Sequence, residues 1–158
     1  MATEALSLEN QPAQHAPPAV WALSLLCILP FVVASIIFCY GPQTFAHSSL
    51  AVLFAYSTAM LGYMGGVRAG IEIERHRPRL LHLAVSVVAP MIGFGLLLAQ
   101  GRIPAPWRLG GFIIAIVLQW LWDVSIHEGP PWRSRMRTFV TAGAGIPLAF
   151  ALEQALHL

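Results

Sequence analysis

Two carboxylate–histidine pairs, Glu72 with His76 and Asp123 with His127, each stand four residues apart. On a helix that spacing sets both members on one face, and carboxylate with imidazole is a ligand set for zinc or iron. Di-metal bundle sites use a Glu-x-x-His spacing with added bridging carboxylates, which these pairs do not match. Arg75, Arg77 and Arg79 also crowd His76 and would repel a cation. The expectation is therefore no metal and no cofactor. His47 and His82 fall near span ends on opposite sides and cannot share one haem. A weaker alternative stays open: a metal, single-histidine pigment or quinone site at the arginine-rich end. There is no Gly-rich phosphate loop, no H-E-x-x-H, no C-x-x-C and no G-x-S-x-G elbow, so the chain reads as non-enzymatic.

The elements that must position these groups are unusual. Five apolar stretches, residues 20–40, 48–71, 80–99, 109–127 and 138–156, fill most of the 158 residues. About 20 apolar residues are what a helix needs to cross a ~30 Å hydrocarbon layer, and a helix satisfies its own backbone there. The fold class expected is all-α, an integral membrane bundle of five transmembrane helices over residues 19–158, preceded by a polar tail, residues 1–18. Composition agrees: 57% of the chain is hydrophobic and 10% charged, and mean hydropathy is +0.68. A formal charge of +2, with the nine basic residues spread over loops, is too small to imply nucleic acid, and no nucleic-acid partner is expected. Cys27 and Cys39 lie in one helix ~18 Å apart, beyond disulfide reach.

Without a basic residue before the first stretch, that stretch reads as a retained span rather than a cleaved signal. Arg75, Arg77, Arg79, Arg133, Arg135 and Arg137 fall in loops on the N-terminal side; Arg102 and Arg108 fall opposite. Such a bias predicts a cytoplasmic N-terminus. Trp21, Trp120, Trp122 and Trp132 anchor that same interface, and Trp107 the other.

Within the spans, Thr58, Gly62, Gly66 and Gly70 recur every four residues, and Thr141, Gly145 and Ala149 repeat the idea, with Glu153 one turn further. Small residues let helix backbones approach closely where lipid offers no hydrophobic drive, so both stripes are expected to be packing faces inside the bundle, with a dimer or partner-subunit face as the alternative for the first. Arg68 and Asp123 each lie about one turn inside the N-terminal-side interface. Equal depth predicts an ion pair between the second and fourth helices. Proline at Pro30, Pro90 and Pro147 predicts kinks in the first, third and fifth spans.

Two segments, YSTAMLGYMGGVR at 56–68 and PWRSRMRTFVT at 131–141, with Leu29, Pro30 and Phe31, resemble the DUF3429 family, whose eukaryotic members are similar to transmembrane protein 69. Ala69 and Arg133 replace aromatic residues usual at those motif positions. The resemblance covers nearly the whole chain and implies a bacterial inner-membrane or mitochondrial setting. It carries no activity.

Small size, small-residue stripes and missing catalytic chemistry favour an accessory, assembly or stabilising subunit. Its partners would be membrane lipid and the other subunits of a larger complex of respiratory or photosynthetic type. The rival is a small transporter using Arg68, Asp123, Glu72 and Glu153 as a path. Glu153 discriminates: an aqueous rim position favours the first reading, a buried polar setting the second.

Overall fold

A computed structural model describes residues 18–77, 79–125 and 131–157. Residues 1–17 of the polar tail and His127 lie outside the described residues. Five helices follow in order: α1 (Pro18–Tyr40), α2 (Gln43–Ile73), α3 (Leu80–Leu98), α4 (Ala105–Ser125) and α5 (Pro131–Leu156). All five are long and apolar enough to cross a membrane. The chain is an all-α membrane bundle.

Helix ends differ from the apolar stretches in instructive ways. α2 is 31 residues long, about 46 Å at 1.5 Å per residue, and overreaches a ~30 Å hydrocarbon layer. α5 begins at Pro131 rather than near 138. Proline suits the first helical turn, where its missing N–H would go unused and its φ is already helical. Arg133, Arg135 and Arg137 therefore ride on the first two turns of α5, not in a loop. Likewise α4 starts at Ala105 and takes up Arg108. Between α3 and α4 the chain turns at Gly101, whose φ of 83° suits glycine.

Around the bundle, α2 packs on α1 and α3, α5 packs on α1 and α4, and a thinner α3–α4 contact closes the ring. α2 also touches α4 across the middle. Leu53, Leu61, Leu109, Phe112, Ile116 and Leu148 are fully buried there. Phe54 stacks on Phe112 at 5.8 Å, an offset geometry aromatic quadrupoles favour. Pro30, Pro90 and Pro147 sit inside α1, α3 and α5. The Ser35 hydroxyl on α1 donates to the Pro147 carbonyl on α5 at 2.7 Å, a buried cross-helix bond.

Backbone closeness is set by glycines other than those of the expected stripes. A Cβ at Gly62, Gly66 or Gly70 would meet nothing within 4 Å, whereas one at Gly65 would lie 2.3 Å from the Ser86 carbonyl oxygen on α3. Four residues advance an α-helix by about 400°, so a four-residue repeat drifts about 40° per step. Thr58 does face α3, donating to the Gly93 carbonyl at 3.2 Å. By Gly66 and Gly70 the stripe has rotated off that contact. Leu61, Gly65, Arg68 and Glu72, which mix steps of three and four, stay on the buried side. α5 repeats the correction. Thr141 is buried, Gly145 meets open space and Ala149 is exposed, while a Cβ at Gly143 would lie 2.5 Å from Ile28 on α1.

Candidate functional site

At the arginine-rich end, three helices bring charge together inside the bundle. α2 carries Arg68, 4% exposed, and α4 carries Asp123, 7% exposed. α5 supplies Arg137, whose Nη1 pairs with the Asp123 carboxylate through Oδ2. The ion pair expected between Arg68 and Asp123 is thus made by Arg137 instead. α4 and α5 pack directly, and the early start of α5 lifts Arg137 to the depth of Asp123. Arg68 stands within electrostatic reach of the same carboxylate without contacting it.

Two guanidinium groups therefore share one carboxylate. Among the described residues, Nε and Nη2 of Arg68 and Oδ1 of Asp123 have no hydrogen-bond partner. Gln119, one turn before Asp123, and Thr141, one turn after Arg137, are also buried with Nε2 and Oγ1 unbonded. Buried polar groups are normally satisfied, so such a concentration of open valences marks a place for water or a ligand.

Glu72 is 2% exposed, yet its chemistry is already used. Oε1 accepts the Arg79 backbone N–H at 2.9 Å, and Oε2 lies 3.4 Å from Arg75 Nε. The carboxylate thus ties the α2–α3 connection. α2 ends at Ile73, so His76 falls beyond the helix and is exposed; the expected shared face is not formed. Glu153 is exposed near the far end of α5. Among the described residues, no three His, Cys, Asp or Glu side chains come close enough to hold a metal ion.

Arg108 is a buried residue that sequence reading placed in a loop. It is 4% exposed, and its Nε and Nη2 donate to the Leu96 and Leu97 carbonyls at 2.9 and 3.2 Å. Those carbonyls belong to the last turn of α3, where intrahelical donors run out. The guanidinium also lies 3.9 Å from the Phe54 ring centre, a cation–π contact. An arginine shortly after a helix that lacks a polar C-terminal turn was the available signal.

Beside the charge cluster, α1, α2 and α5 leave a cleft of about 500 Å³. Its walls are apolar, with Met60, Met64 and Met136 prominent, and Tyr56, Trp132, Arg133 and Arg137 supply the polar edges.

The family model described as "Protein of unknown function (DUF3429)" matches residues 16–153. The chain belongs to the DUF3429 family. No curated protein and no solved structure matches it. The two segments that carry the DUF3429 resemblance, 56–68 and 131–141, lie far apart in sequence and both contribute walls to this cleft. In this DUF3429 member the motif arginine, Arg68, is buried behind that cleft. Arg133, standing where the family motif has an aromatic residue, puts a cation on its edge.

Proposed function

We propose that this chain is a non-enzymatic accessory, assembly or stabilising subunit that packs against a larger membrane protein complex. Its setting is a bacterial inner membrane, or the mitochondrial inner membrane, with the N-terminus cytoplasmic. The observation that carries this reading is the open outward face of α2, where Gly62, Gly66 and Gly70 have no neighbour within 4 Å of a Cβ position. A smooth glycine groove lets a second helix backbone approach closely, the main source of helix affinity in lipid. The exposed position of Glu153 also supports it over the transport reading. A path would need Arg68, Asp123, Glu72 and Glu153 in file. Instead the Glu72 carboxylate is engaged by Arg75 and the Arg79 backbone, and Glu153 stands apart.

The test is a mild-detergent pull-down with mass spectrometry on the wild type and on Gly66→Leu. Wild type should bring down a defined set of membrane subunits. Gly66→Leu should lose them while its own melting temperature is unchanged, because a Cβ at Gly66 has open space for 4 Å around it. A protein that purifies alone, or a variant that keeps the same subunits, refutes the reading.

A further inference from the structure

The cleft between α1, α2 and α5 has a chemical polarity of its own, independent of the subunit reading above. Its α1 and α2 walls bring no charged side chain: Leu23 and Cys27 face Ala59, Met60 and Met64 across the opening. Among the described residues charge enters from α5 alone, whose first two turns contribute Arg133 and Arg137, and no carboxylate lines the space. Behind it, Asp123 is already bound by Arg137 and also within reach of Arg68, so the balance among the described residues stays positive. Trp132 adds a buried indole N–H that has no acceptor among the described residues. The start of α5 adds the partial positive charge of a helix N-terminus, which favours an anion.

We propose that this cleft binds an anionic phospholipid. The phosphate sits at the rim formed by Trp132, Arg133 and the start of α5. One alkyl chain runs inward along Leu23, Cys27, Ala59 and Met64. Guanidinium recognises phosphate through paired, charge-assisted hydrogen bonds, and the Trp132 N–H supplies a further donor. The volume falls in the ~300–1,000 Å³ range of ligand sites. Methionine walls adapt to a flexible chain because the thioether side chain is unbranched and polarisable. The helix placement sets the depth: Arg133 is on the first turn of α5, at the interface, and Cys27 lies about 13 Å along α1 from its start.

The experiment uses the full chain in a neutral maltoside detergent. Melting temperature and native mass spectra are recorded with phosphatidylglycerol, phosphatidylcholine, dodecyl phosphate or inorganic phosphate added. Phosphatidylglycerol at about a hundredfold excess over Kd should raise the melting temperature by roughly 5–10 °C and remain bound in the spectra. Dodecyl phosphate should do so more weakly, and phosphatidylcholine and inorganic phosphate should not. Arg133→Gln, which breaks no ion pair among the described residues, should weaken retention about fivefold. Ala59→Trp should fill the chain-binding part and abolish retention, with its lipid-free melting temperature as the control for folding. Should inorganic phosphate alone give the full shift, the site is an anion site and the lipid proposal fails. It fails equally if phosphatidylcholine matches phosphatidylglycerol, or if both folded variants retain lipid as wild type does.

Discussion

Asp123 sits between two cations, and its removal should be the most damaging single change in the polar cluster. Without it, Arg68 and Arg137 face each other uncompensated in a low-dielectric interior, and breaking a buried pair typically costs about 3–5 kcal/mol. Asp123→Ala should destabilise the bundle by that order in a denaturation titration in detergent. Pairwise cycles then separate the two arginines. The coupling of Asp123 with Arg137 should exceed that with Arg68, because only Arg137 makes contact. A larger Arg68 coupling would return the clamp to the pairing expected from depth alone. Glu72 offers a contrasting case. Glu72→Gln keeps an acceptor for the Arg79 N–H and loses only attraction to the partly exposed Arg75, so its effect should be under about 1 kcal/mol. Glu72→Leu removes that acceptor, and should cost about 1–3 kcal/mol.

At the scale of the element, α2 offers two neighbouring glycines with opposite expectations. Gly65→Ala puts a methyl group 2.3 Å from the Ser86 backbone oxygen and 2.9 Å from Pro90, so α2 and α3 must move apart. Overpacking of this kind costs about 1–3 kcal/mol. Gly66→Ala meets nothing and replaces a poor helix former by the best one, so it should be neutral or stabilising by up to about 1 kcal/mol. Melting curves of the two variants side by side decide the matter; equal losses would mean that the drift of the stripe has been misjudged. Arg108→Met tests a second joint. It keeps a long apolar side chain but leaves the Leu96 and Leu97 carbonyls unbonded and Phe54 without its cation. The α3–α4 corner should loosen, with faster hydrogen exchange in the last turn of α3 than in the rest of that helix.

For the whole molecule, the arginine distribution still argues for a cytoplasmic N-terminus, and the structure sharpens the count. Arg108 is spent inside the bundle, which leaves Arg102 as the exposed arginine of the opposite end among the described residues. Arg75, Arg77, Arg79, Arg133, Arg135 and Arg137 crowd the other end. A C-terminal fluorescent fusion should therefore stay dark in a bacterial host, while a C-terminal alkaline phosphatase fusion should be active. A fluorescent C-terminus would reverse the orientation and place the phospholipid rim in the opposite leaflet.

Five membrane-spanning helices, their order and their family were legible in the residues, because a ~30 Å hydrocarbon layer demands ~20 apolar residues and permits few other backbones. Burial of charge at Arg68 and Asp123 was legible too, since both stand inside apolar runs. Partner choice was not. Whether Asp123 meets Arg68 or Arg137 depends on where α5 begins and which helices touch, and Pro131 with its polar neighbours resembles a loop by hydropathy alone. Glycine spacing misled for a related reason: a four-residue period marks one face over a turn or two and drifts across the 31 residues of α2. Only the tertiary arrangement made Gly65 rather than Gly66 the close contact. It also drew segments 56–68 and 131–141 into one cleft, because neighbourhood across a bundle is set by packing around a ring, which no local pattern encodes.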